Sequence, residues 1–175
     1  METLNRKNGV VTLGHKPDGT LVTHDFNQRD HLIFDCQPGE GGVVAAASTA
    51  YNLFTMDTSY SRIRVVCPDE AEPDYKCFHQ FATYSHTPTI QALKPTSEKT
   101  LVVLHHQPWS AEYMDLLNRD RITTISLVDT TAQKCPFLNR LDVAIVRGGR
   151  NHVYSLNGNL FNPMASPAVM ENFNA

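Results

Sequence analysis

Short, continuous apolar runs alternate with segments of helical length along the middle of this sequence. Runs of this kind are typical of strands that are buried on both faces of a parallel sheet. The clear ones span residues 31–36, 62–67, 100–105 and 122–128. Helices are expected between them at residues 43–54 and 110–118, where Ser110 is a favourable N-cap. The order predicts an α/β fold with a Rossmann-like, mostly parallel sheet that has helices on both faces.

Each end of this unit carries a predicted β-hairpin. Residues 10–13 and 20–23 flank a turn of sequence KPDG, in which Pro, Asp and Gly all favour chain reversal. Residues 141–146 and 152–156 are joined by a glycine-containing turn and are expected to form an antiparallel pair. The hairpins therefore add antiparallel strands to the parallel centre.

These patterns divide the chain into three parts. They are an N-terminal extension with a β-hairpin, an α/β domain and a C-terminal tail, at residues 1–30, 31–160 and 161–175. The segment from Asn157 onward has little periodicity and is expected to follow the surface or to be mobile. A short helix at residues 75–84 and a weak strand at 89–93 complete the prediction.

Composition narrows the function classes. The net charge of −3 is not the strongly basic balance of a typical nucleic-acid binder. No apolar run approaches the roughly 18 residues of a membrane span, and no secretory signal is evident, so a cytoplasmic location without membrane contact is expected. The four cysteines form no CxxC pair and are expected to be reduced thiols. No metal is expected either, because no standard zinc spacing occurs in the Cys and His set 67, 77, 79 and 86.

The turn after the first apolar run is the strongest candidate for a binding site. Residues 35–42 have the sequence DCQPGEGG. Glycine lets the backbone approach a ligand, and a helix N-terminus offers unpaired N–H groups. The turn is not a P-loop, because no Lys-Ser/Thr pair follows the glycines. Asp35 either contacts a ligand or caps the turn, and the glycines either contact a ligand or only permit tight packing.

This turn resembles the first motif of the class I S-adenosylmethionine-dependent methyltransferases, an apolar strand and an acidic residue followed by a Gly-rich turn that opens a helix. The resemblance extends, in the order of elements, from about His31 to Leu156. It implies that S-adenosylmethionine is the cofactor. The residues implied to hold it are Asp35, Gly39, Gly41 and Gly42 at the turn, and Asp69 or Glu70 at the ribose. The alternative for the last two residues, which the acidic and proline-bounded loop around them favours, is a surface exposed to solvent.

Further residues follow from the same resemblance. His105 and His106 stand at the fourth motif of the family, and either is implied to take a proton from the nucleophile. Trp109 is implied to stack on a planar substrate such as a base, unless it only packs in the core. Arg147 and Arg150 suit phosphate contact, or are solvated residues of a hairpin turn. Together these residues imply methyl transfer to RNA.

Two departures from the family leave other functions open. Gln37 stands where the family turn has its first glycine, and histidine replaces the acid or Asn of the fourth motif. These changes favour a catalytically inactive α/β scaffold or assembly subunit, with residues 157–175 as a docking arm. A different nucleotide-binding α/β enzyme, using His105 and His106 in acid–base chemistry, is the third hypothesis.

Overall fold

A single mixed sheet organises the computed structural model, which describes residues 8–86, 97–108, 110–134, 141–147 and 153–173. Within these residues the strands are β1 (Val10–His15), β2 (Leu21–Asp25), β3 (His31–Asp35), β4 (Arg62–Val66), β5 (Ala82–Ser85), β6 (Thr100–His105), β7 (Ile122–Val128), β8 (Asp142–Arg147), β9 (Val153–Leu156) and β10 (Asn159–Pro163). The helices are α1 (Gly42–Met56), α2 (Ala111–Leu117) and α3 (Pro167–Phe173), with a 3₁₀ segment at Asp69–Phe78.

The strand order is β2-β1-β10-β9-β8-β3-β7-β6-β4-β5. The six strands from β8 to β5 are mutually parallel, so their carboxyl ends lie at one edge of the sheet. The remaining four are antiparallel and come from the two hairpins at the ends of the chain, which join where β1 pairs with β10. The predicted α/β class, the mostly parallel centre, the β1–β2 hairpin and the antiparallel pairing of β8 with β9 are confirmed.

Helices pack on both faces of the parallel strands. In β6, Leu101 and Val103 belong to the core shared with α1, whereas Val102 and Leu104 pack with Tyr113 of α2. Helix α1 presents four buried alanines, at positions 45, 46, 47 and 50, which allow close approach to the sheet. Helix α2 begins at the expected N-cap, because the Tyr113 N–H donates to Ser110 Oγ at 3.2 Å.

The segment after β4 differs from the prediction. In place of a helix at residues 75–84, the 3₁₀ segment Asp69–Phe78 is followed by the strand β5. Pro73 lies inside the 3₁₀ segment, where it cannot donate a backbone hydrogen bond. The pairing of β5 with β4 then satisfies the backbone of residues 82–85. The weak strand predicted at residues 89–93 lies outside the described residues.

The C-terminal segment is folded into the sheet. Asn157 and Gly158 both have positive φ, of 51° and 78°, and form the tight turn between β9 and β10. Helix α3 then packs beside α1 and buries Val169 completely. This region therefore contains a strand and a helix, for which the sequence showed no periodicity.

None of the helices in the described residues has the length and apolar character that a membrane crossing requires.

Candidate functional site

A cavity of about 580 Å³ lies where the loops after β3, β4, β5 and β6 meet. This is the edge at which open α/β sheets bind ligands, because the parallel strands all deliver their loops there. Its described lining residues are Pro38, Gly39, Val43, Pro68, Asp74, His86, His105, His106, Gln107 and Pro108. The cavity therefore unites the glycine turn with the two strand-end histidines, as the sequence suggested.

The glycine turn adopts a tight conformation that leaves its backbone accessible. Gly39 and Gly41 have φ values of 84° and 85°, a region that favours glycine. Gly39 faces open space, whereas Gly41 is the N-cap of α1 and offers no side-chain cap. The carboxylate of Glu40 folds back and accepts the Gln37 N–H at 2.7 Å. The Gln37 N–H is therefore already bound to the Glu40 carboxylate and is not available to an anionic ligand.

Gly42 is fixed by packing against Cys36. A Cβ at position 42 would overlap Cys36 Sγ and lie 2.9 Å from Cys36 Cβ. Burial raises the pKa of the Cys36 thiol to about 12, so this sulfur is neutral and unreactive at neutral pH. The Cys36 side chain thus occupies the space that a side chain at position 42 would take.

The turn has the length of a phosphate-binding P-loop but not its chemistry. In the pattern G-x-x-x-x-G-K-[ST] the lysine reaches the phosphates and the hydroxyl binds magnesium. Cys36, Gly41, Gly42 and Val43 occupy the four specified positions here. Only the second glycine is kept, and both groups that act on Mg²⁺–triphosphate are missing.

Asp35 and Arg147 are brought together, beside the cavity rather than among its described lining residues. The Arg147 guanidinium donates to the Asp35 carboxylate at 2.9 Å and to the Asp35 carbonyl at 3.0 Å. Thr130 adds its backbone N–H at 3.0 Å and its hydroxyl at 2.7 Å. This buried carboxylate therefore ties the ends of β3, β7 and β8 together.

His105 and His106 are neutral imidazoles. Burial, with a smaller effect of His106, lowers the pKa of His105 to about 4. Its Nδ1 shares a hydrogen bond of 2.8 Å with the fully buried hydroxyl of Tyr75. Burial also lowers the pKa of His106, whose backbone has a φ of 47°. An imidazole with a pKa this far below neutrality is a weak general base.

The remaining predicted residues are dispersed. Asp69 is 83% exposed and contacts His86 Nδ1 at 3.1 Å, while Glu70 lies in the same 3₁₀ segment, outside the described lining. Trp109 and Arg150 lie outside the described residues. Sequence reasoning missed Asp74 and Gln107 as lining residues. Asp74 belongs to no motif, and Gln107 follows His106 in the fourth-motif stretch but was given no role there.

Comparisons with known proteins give matches in structure only. No family model matches the sequence, and no curated protein does. One similar solved structure is the cytoplasmic domain of the type VII secretion ATPase EccC from Thermomonospora curvata, with 12% identity and a TM-score of 0.65 over 91% of this chain. Another is EccC ATPases 2 and 3 of the same organism in complex with a signal sequence peptide, with 12% identity and a TM-score of 0.66 over 92%.

A third similar structure is the pCW3 conjugation coupling protein TcpA, a monomer form with ATPγS, with 12% identity and a TM-score of 0.63 over 91% of this chain. The chain spans 26%, 41% and 66% of the length of these three structures. At such low identity the likeness establishes the fold: the chain has the α/β fold of these ATPase domains.

These matches correct the resemblance to methyltransferases. The similar structures are ATPases, and one of them contains ATPγS, so methyl transfer to RNA and S-adenosylmethionine as cofactor were wrong predictions. The physical reason is that a Gly-rich turn from strand to helix suits any ligand held by backbone N–H groups, phosphate included. The order of elements along the chain did not separate the two folds, whereas the comparison of whole structures matches ATPase domains.

Proposed function

We propose that this chain, which has the fold of secretion and conjugation ATPase domains, does not hydrolyse ATP and acts as a structural unit of a larger protein assembly. The observation that carries the proposal is the pair Gly42-Val43 at the positions of the P-loop Lys-Ser/Thr. Without that lysine and hydroxyl, the turn lacks the groups that neutralise and orient a triphosphate.

No other cation replaces the lysine in the described site. The described lining of the cavity contains neither Lys nor Arg. Arg147 lies beside the turn, but its guanidinium donates to the carboxylate and the carbonyl of Asp35. The Glu40 carboxylate adds negative charge within the turn. Phosphate groups would therefore meet repulsion where a working P-loop attracts them.

The donor set is also unsuited to magnesium. P-loop NTPases hold Mg²⁺ with the loop hydroxyl and an aspartate. Val43 has no oxygen in its side chain, and Asp74 is the one carboxylate among the described lining residues. Neutral histidines at the end of β6 supply nitrogen ligands, whereas Mg²⁺ prefers oxygen.

A structural role agrees with the size of the similar proteins. The EccC structures are longer chains, and the present chain corresponds to 26% and 41% of them. One of these structures contains two ATPase units, numbered 2 and 3, in one chain. We infer that this chain contacts other ATPase-fold units in a secretion or conjugation machine. It provides a binding surface for them and does not hydrolyse ATP.

The first test is steady-state phosphate release with Mg²⁺ and ATP. We expect no release above a protein-free blank, and no heat of ATPγS binding in calorimetry. Turnover above the blank would overturn the proposal. If that turnover were lost in His105→Gln but kept in His15→Gln, an exposed control on β1, the hypothesis of an enzyme using His105 would be favoured instead.

The second test restores the missing motif. The triple variant Cys36→Gly, Gly42→Lys and Val43→Thr recreates the P-loop pattern and removes the sulfur that blocks position 42. We expect this variant to gain ATPγS binding of at least tenfold over the natural sequence. The matched control, Gly42→Lys alone, should bind no nucleotide and should unfold more easily. Measurable ATPγS binding by the natural sequence, equal to that of the triple variant, would contradict the proposal.

A further inference from the structure

The wall of the cavity that comes from the 3₁₀ segment Asp69–Phe78 is acidic. Asp74 is half-buried and lines the cavity, and the described residues give it neither a hydrogen bond nor an ion pair. Burial raises the pKa of Asp74. A carboxylate in this state gains from a cation placed beside it. The same segment contains Asp69, Glu70 and Glu72 and one cation, Lys76, so its net charge is negative.

Gln107 supplies a second acceptor without a partner. Its side-chain Nε2 donates to the His105 carbonyl at 3.2 Å, which fixes the orientation of the amide. The other end, Oε1, has no hydrogen-bond partner, although Gln107 is only 7% exposed. Buried carbonyl oxygens are nearly always hydrogen-bonded, so this atom indicates a missing N–H or O–H donor.

The histidines that line the cavity either contact carboxylates or are neutral. His86 is the lining residue whose two ring nitrogens contact carboxylates, Asp69 at 3.1 Å and Glu72 at 3.0 Å. His105 and His106 have lowered pKa values and are neutral at pH 7. No lysine or arginine occurs in the described lining. The cavity therefore offers acceptors and negative charge to a ligand rich in donors.

We propose that this cavity binds a guanidinium group, an inference that rests on the proposed loss of phosphate binding at the same site. A guanidinium is cationic, carries five N–H donors and is weakly hydrated, so it suits both the acceptors Asp74 and Gln107 and the apolar walls. Those walls are built by Val43 and by the prolines at positions 38, 68 and 108. The volume of about 580 Å³ also accommodates the chain that bears the guanidinium.

Isothermal titration calorimetry with three matched compounds tests the ligand class. N-acetyl-arginine amide and agmatine both carry the guanidinium, and the neutral N-acetyl-citrulline amide has the shape of the first. We expect saturable binding of both guanidinium compounds and at least tenfold weaker binding of the citrulline compound. Tighter binding of N-acetyl-arginine amide than of agmatine assigns the group to a peptide, and the reverse order to a small free ligand. Equal binding of arginine and citrulline compounds would overturn the inference.

Variants of the acceptors locate the site. Asp74→Asn and Gln107→Met should each weaken binding of N-acetyl-arginine amide at least fivefold. Asp120→Asn removes an exposed carboxylate just before β7, at the opposite edge of the sheet, and should leave the affinity unchanged. Thermal melting of each variant verifies folding. If the two acceptor variants fold and bind as tightly as the natural protein, the assignment to this cavity is wrong.

ATP in the same titrations separates this inference from the proposed function. Binding of N-acetyl-arginine amide without ATP binding supports both. Failure of both compounds to bind overturns only the guanidinium site. Binding of Mg²⁺–ATP without N-acetyl-arginine amide overturns both proposals.

Discussion

Cys36 and Gly42 share one volume at the start of α1, and the choice of residue at either position restricts the other. A Cβ at position 42 would overlap the sulfur of Cys36, whereas Gly39, three residues earlier, faces open space. The two glycines therefore have different reasons to be glycine. At position 42 the packing against Cys36 requires glycine, whereas at position 39 the positive φ favours glycine.

We expect Gly42→Ala to lower the free energy of unfolding by about 1–3 kcal/mol, since overpacking in a dense core has that cost. In the double variant with Cys36→Ala the loss should be smaller than the sum of the single losses, because the removed sulfur leaves room for the new methyl group. Urea unfolding measures both. As a control, Gly39→Ala combined with Cys36→Ala should be additive, and coupling of equal size in the control pair would refute the explanation.

The buried histidines make stability depend on pH. Burial lowers the pKa of His105 to about 4 and also lowers the pKa of His24 and His31. Between pH 6.5 and 4 the unfolded chain therefore binds more protons at these sites than the folded protein does. The linkage relation then makes the free energy of unfolding fall as the pH falls through this range.

We expect chemical denaturation at pH 7, 6, 5 and 4 to show this loss of stability. His105→Gln removes one of the titrating groups, so its free energy of unfolding should fall less steeply with decreasing pH. His15→Gln changes an exposed histidine on β1 and should reproduce the natural slope. Identical slopes for the natural protein and His105→Gln would show that His105 does not have a depressed pKa in the folded state.

At the level of elements, the strands that are buried on both faces of the sheet were the ones best predicted from the sequence. The continuous apolar runs of β3, β4, β6 and β7 are visible because parallel central strands are covered on both faces. Strand β5 was missed since it forms one end of the sheet and is only half-buried. For β10 the sequence did contain a signal, the Asn157-Gly158 turn, which favours a tight hairpin.

The position of β10 gives a prediction about truncation. Because β10 lies between β9 and β1, deletion of residues 157–175 detaches the β1–β2 hairpin from the rest of the sheet and exposes the core that Val169 covers. We expect this variant to lack a cooperative thermal transition by circular dichroism. A stable, folded product that differs only in its association with other proteins would instead support a docking arm.

At the scale of the whole molecule, sequence motifs predicted part of the candidate site, and the rest is visible only in the folded structure. The glycine turn and the strand-end histidines lie at one cavity, as their positions after parallel strands predicted. The Arg147–Asp35 contact joins residues far apart in sequence, and the missing partner of the Gln107 side-chain oxygen is visible only in the folded protein. The choice of cofactor failed because several nucleotide-binding folds use the same turn, and only the arrangement in space distinguishes them.

The described structure also predicts how the protein unfolds. One core cluster contains Val11 of the N-terminal hairpin together with Leu101 of the central sheet and Phe161 of β10. We expect the hairpin and the parallel strands to unfold in a single transition, with circular dichroism and tyrosine absorbance giving coincident urea midpoints. Two separated midpoints would show that residues 1–30 form an independent unit.

The pairing of β1 with β10 has a consequence for synthesis on the ribosome. Residues 10–25 emerge early, but the strand that connects them to the rest of the sheet comes from residues 159–163. Throughout translation of the intervening segment, the early hairpin has one open side and an apolar surface without cover. Unpaired strand edges favour aggregation, so we expect the chain to be most prone to aggregate in the interval before residues 159–163 are synthesised.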